Sequence, residues 1–239
     1  MSKTLNKHRP SGKPAGINAR QDQYGLIILG NAGVGKSFLA NILVGHEAFV
    51  HGFSSKAVTS TTEYVEIQLG GFYLAIFNIP GLIEAEQEHI DLNKIEIDKA
   101  FQERPNSIVM FVFGHQNGRI RDEDVVAFNA INAAYPFRPE SLVMVVNGLP
   151  LSRPNDYEGT TLVLLQKLLV NTHVDSSNVS FLNQINANAP QERQVLKENL
   201  LKVNLNRCKN MNNYFPIFYY RFLWNLHLQN IKRSKKLIH

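Results

Sequence analysis

A single cysteine, Cys208, excludes an intramolecular disulfide and any metal site built from cysteines alone, so a reducing, cytoplasmic setting is expected. No apolar run approaches the roughly 20 residues needed to cross a bilayer. No basic segment followed by a short apolar stretch resembles a secretory leader. The expectation is a soluble protein, at most peripheral to a membrane. Net charge is +5, but the basic residues gather at the ends, as Lys3, Lys7, Arg9, Lys13 and Arg20 and as Lys232, Arg233, Lys235 and Lys236. A continuous basic face is missing, so no nucleic-acid partner is expected. Internal repeats and low-complexity tracts are also missing.

With 44% hydrophobic and 19% charged residues, the 239-residue chain has enough apolar surface for one α/β domain and little room for a second. Residues 1–22 offer almost nothing apolar to bury and predict a disordered basic arm. Residues 23–207 hold the domain, and 208–239 form an extension carrying Phe215, Phe218, Tyr219, Phe222, Leu223 and Trp224 ahead of its basic end. Such an aromatic stripe predicts helix packing. Its alternative is an amphipathic helix lying on an anionic membrane.

The domain is organised around Gly30-Asn31-Ala32-Gly33-Val34-Gly35-Lys36-Ser37, which meets the phosphate-loop pattern G-x-x-x-x-G-K-[ST] at every specified position. Its context agrees. Leu26 to Leu29 is an apolar run of the kind a strand buried on both faces requires, and Ser37 to Val44 predicts a helix stopped by Gly45. In such a loop the backbone N–H groups and the helix N-terminus face phosphate oxygens. Lys36 then reaches the terminal phosphates and Ser37 ligates Mg²⁺.

Beyond the loop, Tyr64 to Leu69 and Phe72 to Phe77 flank Gly70-Gly71 as a β-hairpin, and a weakly amphipathic helix ends at Phe101. Ser107 to Phe113 predicts a buried strand, followed by a loop from Gly114 to Arg121 and a helix over 122–134. Leu142 to Val146 predicts a strand, Glu158 to Val170 a helix, Val179 to Leu182 a strand and Gln191 to Asn206 a helix. Strands alternating with helices imply a doubly wound, mostly parallel sheet with helices on both faces. His115, in the predicted loop, reads as a surface histidine without a role.

A nucleotide switch also needs a threonine hydroxyl that closes on Mg²⁺ and the terminal phosphate, and a carboxylate with a glycine at the next strand end. Thr61 is the candidate for the first, both as metal ligand and in catalysis. The second position holds Asn78-Ile79-Pro80-Gly81, which keeps Gly81 as a phosphate contact and replaces the aspartate with asparagine.

Here the chain resembles the immunity-associated GTPases, the AIG-type or GIMAP family, kin to septins and the plastid Toc receptors. The resemblance runs from Leu26 to about Leu201. It is carried by Gly30 to Ser37, Asn41-Ile42-Leu43, Ala48-Phe49, Thr59 to Thr62, and Asn78-Ile79-Pro80-Gly81-Leu82 where the family has D-T-P-G-L. More specific is Arg104-Pro105-Asn106-Ser107 leading through a strand to Gly118-Arg119-Ile120-Arg121-Asp122-Glu123-Asp124, similar to the family's own box. Leu182-Asn183, with Gln194-Val195 and Leu200-Leu201 beyond, is similar to the base-contacting loop and its helix.

The resemblance implies a P-loop G domain binding GTP or GDP with Mg²⁺, dimerisation through the nucleotide face, and a scaffold role with slow hydrolysis. Asn147 and Asn183 then contact the base, and Arg119 is read as an arginine finger directed at a partner subunit. The guanine-reading run is Asn147-Gly148-Leu149-Pro150, with Pro150 where a carboxylate belongs. GTP is therefore expected to be favoured over ATP only slightly. Two other classes remain open: an ATP-using phosphotransferase on the same core, and a pseudo-GTPase acting as an interaction module.

Overall fold

The computed structural model describes residues 23–49, 62–69, 72–79, 87–186 and 188–211. The basic arm, Thr61, Gly81 and the aromatic tail from 212 onward lie outside the described residues. Seven strands and five α-helices are described, in the order β1 (Gln23–Leu29), α1 (Lys36–Val44), β2 (Glu63–Leu69), β3 (Phe72–Asn78), α2 (Gln87–Glu103), β4 (Ser107–Gln116), β5 (Arg119–Ile120), α3 (Asp122–Ala134), β6 (Leu142–Leu149), α4 (Tyr157–Leu168), β7 (Val179–Asn183) and α5 (Pro190–Met211). A 3₁₀ turn over Pro139–Ser141 leads into β6.

The sheet runs β2-β3-β1-β4-β6-β7, parallel throughout except for the antiparallel edge strand β2. Alternation along the central strands explains the two layers. Ile27 and Leu29 of β1 and Val109, Phe111 and Phe113 of β4 join Ile97, Phe101, Phe128 and Leu165 in one core. Leu26 and Ile28 with Ile108, Met110 and Val112 join Leu39, Leu43, Leu196 and Leu200 in the other. Helices α2, α3 and α4 thus cover one face, and α1 and α5 the other. Strands with both faces covered need continuous apolar runs, which is how β1 and β4 read in the sequence. Phe111 meets Phe128 edge-on at 4.9 Å, tying α3 to the sheet.

The loop predicted from Gly114 to Arg121 is a hairpin instead. Strand β4 continues to Gln116, and β5 returns antiparallel with His115 opposite Ile120 and Gln116 opposite Arg119. The turn is Asn117-Gly118, with φ of 51° and 80°, the left-handed pair that a tight hairpin needs and that Asn-Gly tolerates. Likewise β6 extends past Val146 to Leu149, with a register shift against β7 between Val146 and Leu149. Among the described residues no helix is long and apolar enough to cross a membrane.

Two stretches of the family resemblance have structural duties. Asn41 of α1 holds the segment after the helix, its amide donating to the Phe49 carbonyl at 2.8 Å and its oxygen accepting from the Ala48 and Phe49 N–H groups. Arg104 to Ser107 lies at the start of β4, the end of the sheet away from the phosphate loop. There the Asn106 carbonyl accepts from Gly25 N–H, Ser107 Oγ donates to the Arg104 carbonyl, and Arg104 pairs with Glu66.

Candidate nucleotide site

The loop Gly30 to Ser37 connects the end of β1 to the first turn of α1, so unpaired N–H groups of the helix start face the crevice beyond the strand ends. Gly35, with φ of 95°, caps α1 and leaves room that no other residue would. A Cβ there would lie 2.5 Å from Asn147 Nδ2.

Lys36 is buried, and its Nζ donates to the Asn31 carbonyl at 3.0 Å. Burial pushes its ammonium down to about 8, with the charge of Asp124 opposing the shift. A desolvated cation held against a ring of N–H groups is a strong partner for phosphate oxygens and an uneasy group without them.

Ser37 is half-buried, and its Oγ accepts a 3.0 Å hydrogen bond from the side-chain amide of Asn78 at the end of β3. Asn78 is completely buried, and its Oδ1 has no partner among the described residues. An orphaned carbonyl oxygen beside a serine hydroxyl is an oxygen pair suited to a hard cation and its water shell, so the residues fit Mg²⁺. Among the described residues no cluster of histidine, cysteine and carboxylate side chains forms any other metal site.

Three further segments close on the loop. Asp124, on the first turn of α3, is fully buried, accepting from Asn31 Nδ2 at 2.8 Å and from Gly114 N–H at 2.7 Å. Burial pushes its carboxyl up, opposed by the Gly114 bond, the Arg121 charge and the Asn31 bond. Arg121 donates to the Ala32 carbonyl at 3.4 Å and to Glu123 at 2.7 Å. Asn147, at the end of β6, donates to the Val34 carbonyl at 2.9 Å.

The site residues named from the sequence therefore divide. Gly30, Asn31, Ala32, Gly33, Val34, Gly35, Lys36 and Ser37 form the loop itself. Asn147 is brought to it through its amide, which serves the loop backbone. Asn183, at the end of β7, has its Oδ1 engaged by Arg153 Nη1 at 2.6 Å. Arg119 is exposed on the short strand β5, paired with Gln116, and touches none of these groups. His115 is half-buried rather than on the surface; its ring meets Tyr157 edge-on at 6.0 Å, and burial together with the Arg153 charge lowers its pKa.

Two residues at the site carry no sequence signal strong enough to single them out. Asp124 sits among three consecutive first-turn acids of α3, any of which would serve a helix start equally well. Arg153 lies in a polar loop, where nothing distinguishes it from a solvated arginine.

A phosphate loop at the end of β1, a buried lysine, a serine–asparagine pair at the metal position and a doubly wound sheet define a P-loop α/β domain of the GTPase class. The chain belongs to the AIG1 family, whose model matches residues 24–217. It is 26% identical over 127 residues to GTPase IMAP family member 8 of Mus musculus, an alignment covering 52% of this chain and only 18% of that much longer relative. Among solved structures, Toc33 from Arabidopsis thaliana in complex with GDP and Mg²⁺ is similar at TM-score 0.54 and 19% identity, over 79% of this chain and 85% of that one. A structure of the chloroplast translocon components atToc33 and psToc159 gives TM-score 0.58 at 19% identity, over 79% and 84%. These likenesses establish the fold.

Proposed function

We propose that the protein is a GTP-binding switch of the AIG type that takes GTP or GDP with Mg²⁺, hydrolyses GTP slowly, and acts as a scaffold through dimerisation across its nucleotide face. The observation that carries this reading is the buried Lys36 set in a phosphate loop whose first helical turn also presents Ser37 to the buried, half-satisfied Asn78. When bound, Mg²⁺ would neutralise phosphate charge, held by Ser37 and Asn78 with Thr61 as a further ligand. A neutral Asn78 offsets less of a dication's charge than an aspartate would, which supports modest metal dependence and slow turnover. Support from relatives is indirect: Toc33 has been solved with GDP and Mg²⁺. Dimerization is described as important for the GTPase activity of atToc33 and psToc159. Peripheral contact of the tail with an anionic membrane belongs to the same proposal and rests on its composition alone.

Titration of GTP, GDP and ATP with and without Mg²⁺, followed by a turnover assay, tests the reading. Triphosphate affinity on the order of micromolar or weaker is expected, with Lys36→Ala removing most of it. Equal binding by Lys36→Ala and the parent would show that the phosphate-loop assignment is wrong. Asn78 also favours a second reading, a pseudo-GTPase interaction module. Binding without measurable turnover identifies that case.

A further inference from the structure

We propose that Arg153 selects the base, reading the 6-keto edge of a purine in place of the missing carboxylate; this rests on the nucleotide reading above. The metal-binding pair Ser37 and Asn78 lies on the β3 side of the phosphate loop, which fixes the terminal-phosphate end of a nucleotide there. The nucleoside end then points the other way across the sheet, toward the ends of β6 and β7, each strand being about 4.8 Å further on. Arg153 stands at those ends. Its Nη1 donates to the Pro150 carbonyl at 2.9 Å and to Asn183 Oδ1 at 2.6 Å, and its Nη2 to Glu158 at 2.6 Å.

This arrangement has two consequences. The acceptors that could take guanine's N1–H and 2-amine at this end, the Pro150 carbonyl, the Asn183 oxygen and the Glu158 carboxylate, each already accept from Arg153, whose charge weakens them as acceptors for a second donor. The guanidinium, by contrast, keeps Nε–H and one Nη2–H without a partner among the described residues, in a plane fixed by three anchors. Paired arginine donors match guanine O6 and N7. Adenine presents a 6-amino donor at the same edge and is disfavoured. Guanine is thus recognised chiefly by its oxygen, and its 2-amine contributes little.

Competition binding to the unmodified full chain with Mg²⁺ tests this, using the triphosphates of guanosine, inosine, adenosine and 2,6-diaminopurine riboside. Guanosine and inosine triphosphates should bind within about threefold of one another, and the two 6-amino nucleotides about tenfold or more weaker. In Arg153→Leu the four should converge, through loss of guanosine and inosine affinity with the adenosine triphosphate affinity kept. A loss of tenfold or more from guanosine to inosine overturns the proposal, because an acceptor then reads the 2-amine. Equal binding of guanosine and adenosine triphosphates by the parent overturns it too and leaves the nucleotide site standing. So does an equal loss of all four in Arg153→Leu, which marks a purely structural arginine. Binding of none of the four by the parent removes the nucleotide reading itself.

Discussion

Asp124 accepts a 2.8 Å hydrogen bond from the side-chain amide of Asn31, 93 residues earlier in the chain, and with its other oxygen holds Gly114 N–H in the last part of β4. The acidic end of the family's characteristic box is therefore a brace for the phosphate loop. Arg121, gripping the Ala32 carbonyl, adds a second strut from the same turn.

Removing the brace should loosen the loop as well as the fold. Asp124→Ala leaves the Asn31 amide and Gly114 N–H buried without acceptors, a destabilisation of about 2–5 kcal/mol. The isosteric Asp124→Asn, which faces at least one donor with another donor, should cost about 1–3 kcal/mol. Thermal unfolding with and without nucleotide checks both, and an Asp124→Asn protein as stable and as avid as the parent would contradict the role given to this carboxylate.

Lys36 makes nucleotide binding depend on pH on the alkaline side. Its folded-state pKa is depressed to about 8 from 10.5, so the free protein loses this proton as pH rises through 8. Phosphate oxygens favour the charged form, so binding above that pH must take the proton back, and affinity should fall by up to about tenfold per pH unit. The sign for stability is opposite. Between pH 8 and 10.5 the unfolded chain holds the proton and the folded one does not, so this group's contribution to stability grows as pH rises through that window. Calorimetry at pH 7 and 9, in buffers of different ionisation enthalpy, should show weaker binding and proton uptake at the higher pH, and Lys36→Ala should show neither.

Asn78→Asp should trade stability of the free protein for metal dependence. A carboxylate in this fully buried position loses the amide donor to Ser37 and pays to be desolvated, which costs about 1–3 kcal/mol, or a fall of about 3–10 °C in melting temperature. Mg²⁺ with GTP should restore the loss and bind more tightly than in the parent. A variant whose melting temperature and Mg²⁺ dependence both match the parent would show that Asn78 does not face the metal.

Arg119 and Arg121 separate a trans contribution from a cis one. Arg119 is exposed on β5 and contacts nothing in the loop, so Arg119→Ala should bind nucleotide normally in a dilute protomer. If Arg119 reaches a partner's phosphates, turnover per protomer rises with protein concentration in the parent and stays flat in Arg119→Ala. Arg121→Ala should weaken binding at every concentration, because its contact to Ala32 is internal. Concentration-independent turnover in the parent excludes the trans role.

The sheet, the loop and the family were legible in the residues alone. Strands covered on both faces must be apolar at successive positions, which is why β1, β4 and β6 were legible, and α3 falls on the predicted span of 122–134. The phosphate loop was legible for a similar reason: its backbone geometry admits few residue types, so the requirement is written locally. The Asn117-Gly118 hairpin leaves no alternating pattern in the sequence, because only two residues pair on its return strand. Which polar side chains serve the site follows only from how the elements pack. Asp124 differs from Asp122 and Glu123 only in pointing inward to meet Asn31 and Gly114, and Arg153 differs from any loop arginine only because β6 and β7 end beside it with Pro150 and Asn183. Hydrogen bonds over such separations are fixed by how strands stack side by side and by the cost of leaving a buried donor or acceptor unpaired, and neither leaves a mark on residue spacing.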